Sequence, residues 1–161
     1  MTASEDIEAK FWKELHAQRT MMLGIDGIDG LPPRPMTAQA EGDRGPLWFF
    51  TSTESLLTQR AGSGSQATAS FTSKGHDLFA SVTGRLSVDN DRAMIDRLWN
   101  PFVAAWYEGG KDDPKLALLK FDTAHAEFWL NGSSLLAGVK ILMGIDPKQD
   151  YKDKVAKVEL D

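Results

Sequence analysis

Residue types that do chemistry unaided are sparse in this sequence. Cysteine is absent, which removes thiol catalysis, disulfides and cysteine–zinc sites. The three histidines, His16, His76 and His125, stand far apart, form no HExxH pattern and read as surface or partly buried residues rather than metal ligands. Gly24, Gly27 and Gly30 are evenly spaced, but Asp26 and Asp29 lie between them, which is turn chemistry and not the GxGxxG of a dinucleotide site. There is no GxxxxGK followed by Ser or Thr, hence no P-loop, and no GxSxG nucleophile elbow. A serine–histidine pair assembled only in space is left for the fold to decide. No catalytic residue is assigned. What stands out instead is a mixture of cation, hydroxyl and ring in two strips, Arg34 to Gln39 and Leu47 to Ser52, with further tryptophans downstream. Such a mixture suits a site with a flat apolar slot, a few polar groups at its edge and a positive end.

The elements that must carry these strips follow from periodicity. Ile7, Phe11 and Leu15 recur at four-residue steps beside Trp12, which predicts an amphipathic helix over 4–18, with Thr2 and Glu5 at capping-box spacing. Thr20 to Ile25 alternates as a strand, Arg34 to Ala40 is a second, and Leu47 to Thr51 is an aromatic third. Thr53 to Arg60 reads as a short helix with Thr53 as N-cap, ended by a Gly/Ser stretch. Ala67 to Thr72 resumes the alternation. Leu78 to Val88 is the cleanest strand signal in the chain, with Gly84 as its bend point. Asp91 to Trp99 is helical until Pro101 ends or kinks it, and Phe102 to Tyr107 adds a turn of helix. Leu116 to Phe121 and Ala124 to Leu130 read as two strands split near Asp122-Thr123, and Leu135 to Met143 as a helix. The tail, 147–161, has the composition of a flexible extension, and its pattern does not decide whether it is ordered. About six strands broken by short helices give no βαβ rhythm. They predict a mainly β fold, an antiparallel barrel with peripheral helices, as one domain over 1–161.

Length and composition agree with an ordinary globular domain: 161 residues, 42% hydrophobic and 25% charged. The net charge of −5 speaks against nucleic acid or an anionic membrane as partner, since both need clustered positive charge. No apolar run approaches the roughly 20 residues of a membrane span, and the first residues lack a signal-peptide pattern. A cytoplasmic location is the default expectation, and Asn131-Gly132-Ser133 is then a chance glycosylation match.

Five stretches carry a family resemblance: Arg34-Pro35-Met36-Thr37-Ala38-Gln39, Leu47 to Ser52, Ser81-Val82-Thr83-Gly84-Arg85, Leu98 to Tyr107 with Asp112-Asp113-Pro114, and Ala126-Glu127-Phe128-Trp129. Together, over about residues 5 to 145, the chain resembles the pyridoxamine 5′-phosphate oxidase-like flavin proteins, and among them the bacterial general stress protein group. The resemblance implies a six-stranded antiparallel split β-barrel that forms a homodimer with FMN in clefts between the subunits. It implies that Arg34 meets the FMN phosphate and that Met36 and Thr37 line the ring. Phe50, Thr51 and Ser52 would form the strip beside ring and phosphate, and Ser55 would contact the phosphate. Trp129 would lie near the flavin, and Trp106 where the partner subunit approaches it. Trp48 and Trp99 read as core, because aromatic side chains bury so much area.

Some positions depart from the oxidases. Leu56 and Leu57 stand at a basic pair, Gln39 replaces a lysine, and Leu135 and Val139 fall near two arginines of the substrate side. A lost charge-assisted phosphate bond costs about 1.5–3 kcal/mol, so weaker FMN binding is expected unless Arg60, Lys111 or Lys140 compensates. The vitamin B6 site looks dismantled. The resemblance therefore implies an FMN-binding general stress protein acting as flavin buffer, carrier or sensor, without metal. The alternatives are an FMN-dependent oxidoreductase with another substrate, and a binding module that has lost flavin.

Overall fold

A computed structural model describes residues 3–29, 31–131 and 155–160. The chain opens with α1 (Ala3–Ala17), one residue earlier at each end than its periodicity predicts. Its apolar stripe, Ile7, Phe11, Trp12 and Leu15, is fully buried. Thr2 of the expected capping box lies outside the described residues. The strands are β1 (Thr20–Ile25), β2 (Arg34–Thr37), β3 (Leu47–Ser52), β4 (Ser65–Thr72), β5 (Leu78–Val88), β6 (Leu116–Leu130) and β7 (Val155–Glu159). All pairings are antiparallel, in the order β2-β1-β4-β5-β6-β3, with β7 added on β6. A single bridge between Gln39 and Trp48 joins the two ends of this path and closes the ring. The architecture is the split barrel that the sequence leads one to expect.

Two local expectations need correction, and one open question is decided. The two strands around Asp122-Thr123 are one, β6, 15 residues long. Asp122 is a poor strand former, yet the ladder absorbs it: Thr83 pairs with His125 and Gly84 with Thr123, leaving Ala124 as a bulge. A Cβ on Gly84 would collide with the Asp122 carbonyl oxygen, so only glycine lets the strands approach here. The tail, whose order the pattern left undecided, carries β7 at its described end, held from His125↔Glu159 to Trp129↔Val155. The short helix α2 is Leu56–Ala61, not 53–60, and its N-cap is Ser55, whose Oγ accepts from the Leu57 amide at 3.2 Å. Thr53 does not cap it, because its own amide donates to the Lys115 carbonyl and stays beside β6. The predicted helix Leu135 to Met143 lies outside the described residues.

Two apolar cores result. The larger fills the barrel and the space under α1, where Phe11 meets Phe71 and Phe128 at ring separations of 5.8 and 5.1 Å. The smaller lies outside the barrel, between β3, β6 and two short helices, α3 (Arg92–Leu98) and α4 (Pro101–Ala104). Trp48 is buried in this second core and Trp99 packs half-buried against it. Pro101 occupies the first turn of α4, where its missing N–H costs nothing, behind an Asn100 cap that accepts from the Phe102 and Val103 amides.

Candidate functional site

The site is the place where the barrel fails to zip. Gln39 and Trp48 exchange both backbone hydrogen bonds, each 2.8 Å. Past that bridge β2 and β3 share no further pairing among the described residues. A strand's amide and carbonyl groups alternate between its two edges. Phe50 therefore presents its N–H and C=O on the same edge as Trp48, toward the open seam. Beside that edge lies a cavity of about 390 Å³, a size usual for a small-molecule site.

Three segments wall it. From β2 and its extension come Pro35, Met36, Thr37 and Gln39; from β3 come Phe50, Thr51 and Ser52. The third wall is Phe102, Val103, Trp106 and Tyr107, from α4 and the turn after it. Tyr107 ties this wall to β3 by donating its hydroxyl to the Thr51 carbonyl at 2.7 Å. Burial, with Asp113 nearby, pushes the Tyr107 phenol up to about 12. An edge contact from Phe50 to Trp99 and a tilted one from Trp99 to Tyr107, each 6.0 Å between ring centres, stiffen the same corner. Phe102 and Trp106, one helical turn apart, are 86% and 85% exposed at the cavity's rim.

Of the residues singled out from sequence, the cavity gathers Met36, Thr37, Gln39, Phe50, Thr51, Ser52 and Trp106. Arg34, Ser55 and Trp129 do not line it. Arg34 starts β2, half-buried, with its Nε buried and without a hydrogen-bond partner. Ser55 caps α2. Trp129 sits half-buried on β6 between Phe79 and Val155 in register. Sequence reasoning passed over Pro35, Phe102, Val103 and Tyr107 as lining residues. The signal for Phe102 was present: Asn100-Pro101 announces a helix start, and Phe102 then stands four residues before Trp106.

A second cavity, about 350 Å³, lies on the outer face of β5, β6 and β7. There the His125 Nδ1 and Glu159 Oε1 pair at 2.7 Å, and Glu127 stands opposite Lys157. Among the described residues there, His125 and Glu159 form the one ion pair. Among the described residues no histidine side chain is hydrogen-bonded to a serine. No cluster of three metal-ligating side chains occurs, and no helix is long and apolar enough to cross a membrane, again among the described residues.

The family model described as pyridoxamine 5′-phosphate oxidase like matches residues 6–152. The chain belongs to this family. It is 60% identical to a general stress family protein of Xanthomonas campestris pv. campestris, covering 86% of this chain and 96% of that one, with a TM-score of 0.80. It is 59% identical to a protein of Xanthomonas citri described as a general stress FMN/FAD binding protein, covering 83% and 95%, with a TM-score of 0.77. It is also similar to protein bli-3 of Neurospora crassa, 27% identical over 101 residues, which is 58% of this chain and 48% of that protein. The chain thus spans no more than about half the length of the curated relatives it matches.

Proposed function

We propose that this chain is an FMN-binding protein of the general stress group and that the seam between β2 and β3 holds the flavin ring. The observation that carries this reading is the free backbone edge of Phe50 beside an apolar slot. A flavin ring offers neighbouring donors and acceptors on one edge and flat apolar faces elsewhere, and an unpaired strand edge next to Met36, Val103 and Trp106 matches both. Thr37, Thr51, Ser52 and Gln39 add polar groups around that slot. The Xanthomonas citri relative's description supports a flavin as the ligand.

The phosphate end is met differently. No cation lines the cavity among the described residues, so the phosphate falls to groups at its margin. Arg34 adjoins Pro35 in β2 and has an orphaned Nε, and Ser55 lies just past β3. Trp129 is kept near the flavin on the family resemblance alone, since it does not line this cavity. The nearly bare rings of Phe102 and Trp106 support a homodimer that covers them and completes each cleft. We place the protein in the cytoplasm, as a single domain over 1–161, without metal, nucleic acid or membrane as partner.

A bound flavin supplies the redox chemistry; the chain supplies the slot, the polar edge and shelter from water. Tyr107 is the one titratable side chain among the described lining residues, and its proton is committed to the Thr51 carbonyl. No group there exchanges a proton near neutral pH. That supports a buffer, carrier or sensor over an acid–base enzyme, and no oxidation of pyridoxine 5′-phosphate is expected. The decisive test is titration with FMN and riboflavin, followed by flavin fluorescence. FMN should bind near one per subunit and more tightly than riboflavin. Equal affinities would remove the phosphate assignment, and no binding of either would remove the function.

A further inference from the structure

We propose that Arg19, which lies outside the cavity, is a positioning residue that holds the Gln39 side chain as a hydrogen-bond donor into it. This rests on the flavin reading above and adds to it what sets the polarity of one wall.

Arg19 ends the connection from α1 to β1. Its carbonyl accepts from the Ala38 amide at 2.7 Å, which runs its backbone alongside Gln39. Its guanidinium Nη1 then donates to the Gln39 Oε1 at 2.8 Å. A guanidinium has five donors and no acceptor. The amide atom facing it must be the oxygen, however an amide is drawn, and the Nε2 with its two hydrogens is turned away. Gln39 is 7% exposed. Its own N–H and C=O are both used by Trp48, so backbone and side chain are pinned together. Nothing among the described residues accepts from Nε2, and Gln39 lines the cavity. The pinned amide therefore offers donors to whatever fills that space. The positive guanidinium bonded to Oε1 also polarises the amide and strengthens those donors.

The partner that fits is an acceptor: a carbonyl oxygen or an unprotonated ring nitrogen of the flavin. Arg19 itself is exposed and has no carboxylate within ion-pair distance among the described residues. Its bond to Gln39 is thus not a by-product of a surface salt bridge. The polarity was invisible in sequence, where Gln39 alone looks equally able to donate or accept.

The test is a double-mutant cycle with FMN and with riboflavin as ligands, read by fluorescence titration and by the visible spectrum of the bound flavin. Arg19→Met should weaken both ligands by the same factor, roughly tenfold, and shift the flavin absorption band. Arg19→Lys, which keeps a donor, should restore most of both. On a Gln39→Leu background, Arg19→Met should add nothing. Should Arg19→Met fold poorly, Arg19→Leu, which also lacks a donor, makes the same comparison. Unchanged affinity and spectrum would overturn the proposal. Loss for FMN alone would overturn it too, since Arg19 would then be touching phosphate. Additive losses on the Gln39→Leu background would show that Arg19 does not act through Gln39. An unmodified protein that binds neither ligand would instead overturn the flavin reading itself.

Discussion

Phe71 and Phe128 on the wall of β4 and β6 are sealed beneath α1, whereas Phe102 and Trp106 beside the seam are 86% and 85% exposed. The residue types are alike and the treatment is opposite. On the wall, β4, β5 and β6 are paired along nearly their whole lengths, so alternate side chains point inward and meet one another. At the seam, pairing stops after one bridge. There a backbone edge and two rings are left uncovered. Continuous pairing makes stability, and its interruption makes a site.

The comparison is broken most directly by truncating a ring on each side. Phe128→Ala should cost about 3–5 kcal/mol, the usual price of emptying an enclosed aromatic position. Phe102→Ala should stay within about 0.5 kcal/mol in the monomer, as surface changes do. Urea unfolding of both variants measures this, and comparable losses would mean that Phe102 is core after all. An intermediate effect belongs to Trp106→Ala. Its expected cost is in association, about 2 kcal/mol or roughly thirtyfold in dimer or flavin affinity, with monomer stability untouched. Sedimentation and flavin titration on the same samples would detect it; a drop in stability without a change in binding would move Trp106 to the wall's side of the comparison.

The smallest effect sharpens the boundary between the two regions. Tyr107→Phe removes one hydrogen bond to Thr51 and should cost about 1 kcal/mol. Its pH dependence has a definite sign. An unfolded tyrosine loses its proton near pH 10, and burial in the fold delays this to about 12. The native state therefore holds the proton more tightly. The stabilisation is whole below pH 10 and is lost as pH rises from 10 toward 12. A Tyr151→Phe background leaves Tyr107 as the single tyrosine, so ultraviolet titration reads it alone. A midpoint near 10 would mean that the phenol is solvated and the α4 wall is not tied to β3.

Local pattern was sufficient wherever neighbours in sequence are also the determining neighbours. Met21, Leu23 and Ile25 alternate into the barrel as their spacing requires, and so do Leu78, Ala80, Val82 and Leu86. The stripe of α1 is buried as its four-residue steps require. The strips Arg34–Gln39 and Leu47–Ser52, singled out for their mixture of residue types, supply two of the three walls of the cavity. What sequence could not supply was anything decided by a distant partner. Asp122 looks like a break until Gly84, far away in the chain, admits a bulge against it. Val155 to Glu159 has no reason to extend except that β6 offers a free edge. Ser55 and Arg34 stand in motifs with residues that line the cavity, yet a helix cap holds one hydroxyl and the strand start keeps the other side chain off the lining. Tyr107 joins the site through a bond to Thr51 and a ring contact with Trp99, both distant in sequence or set by packing. The residue types and their period are properties of the chain, but which edge stays open, and which groups are left facing it, depends on strands meeting across the barrel.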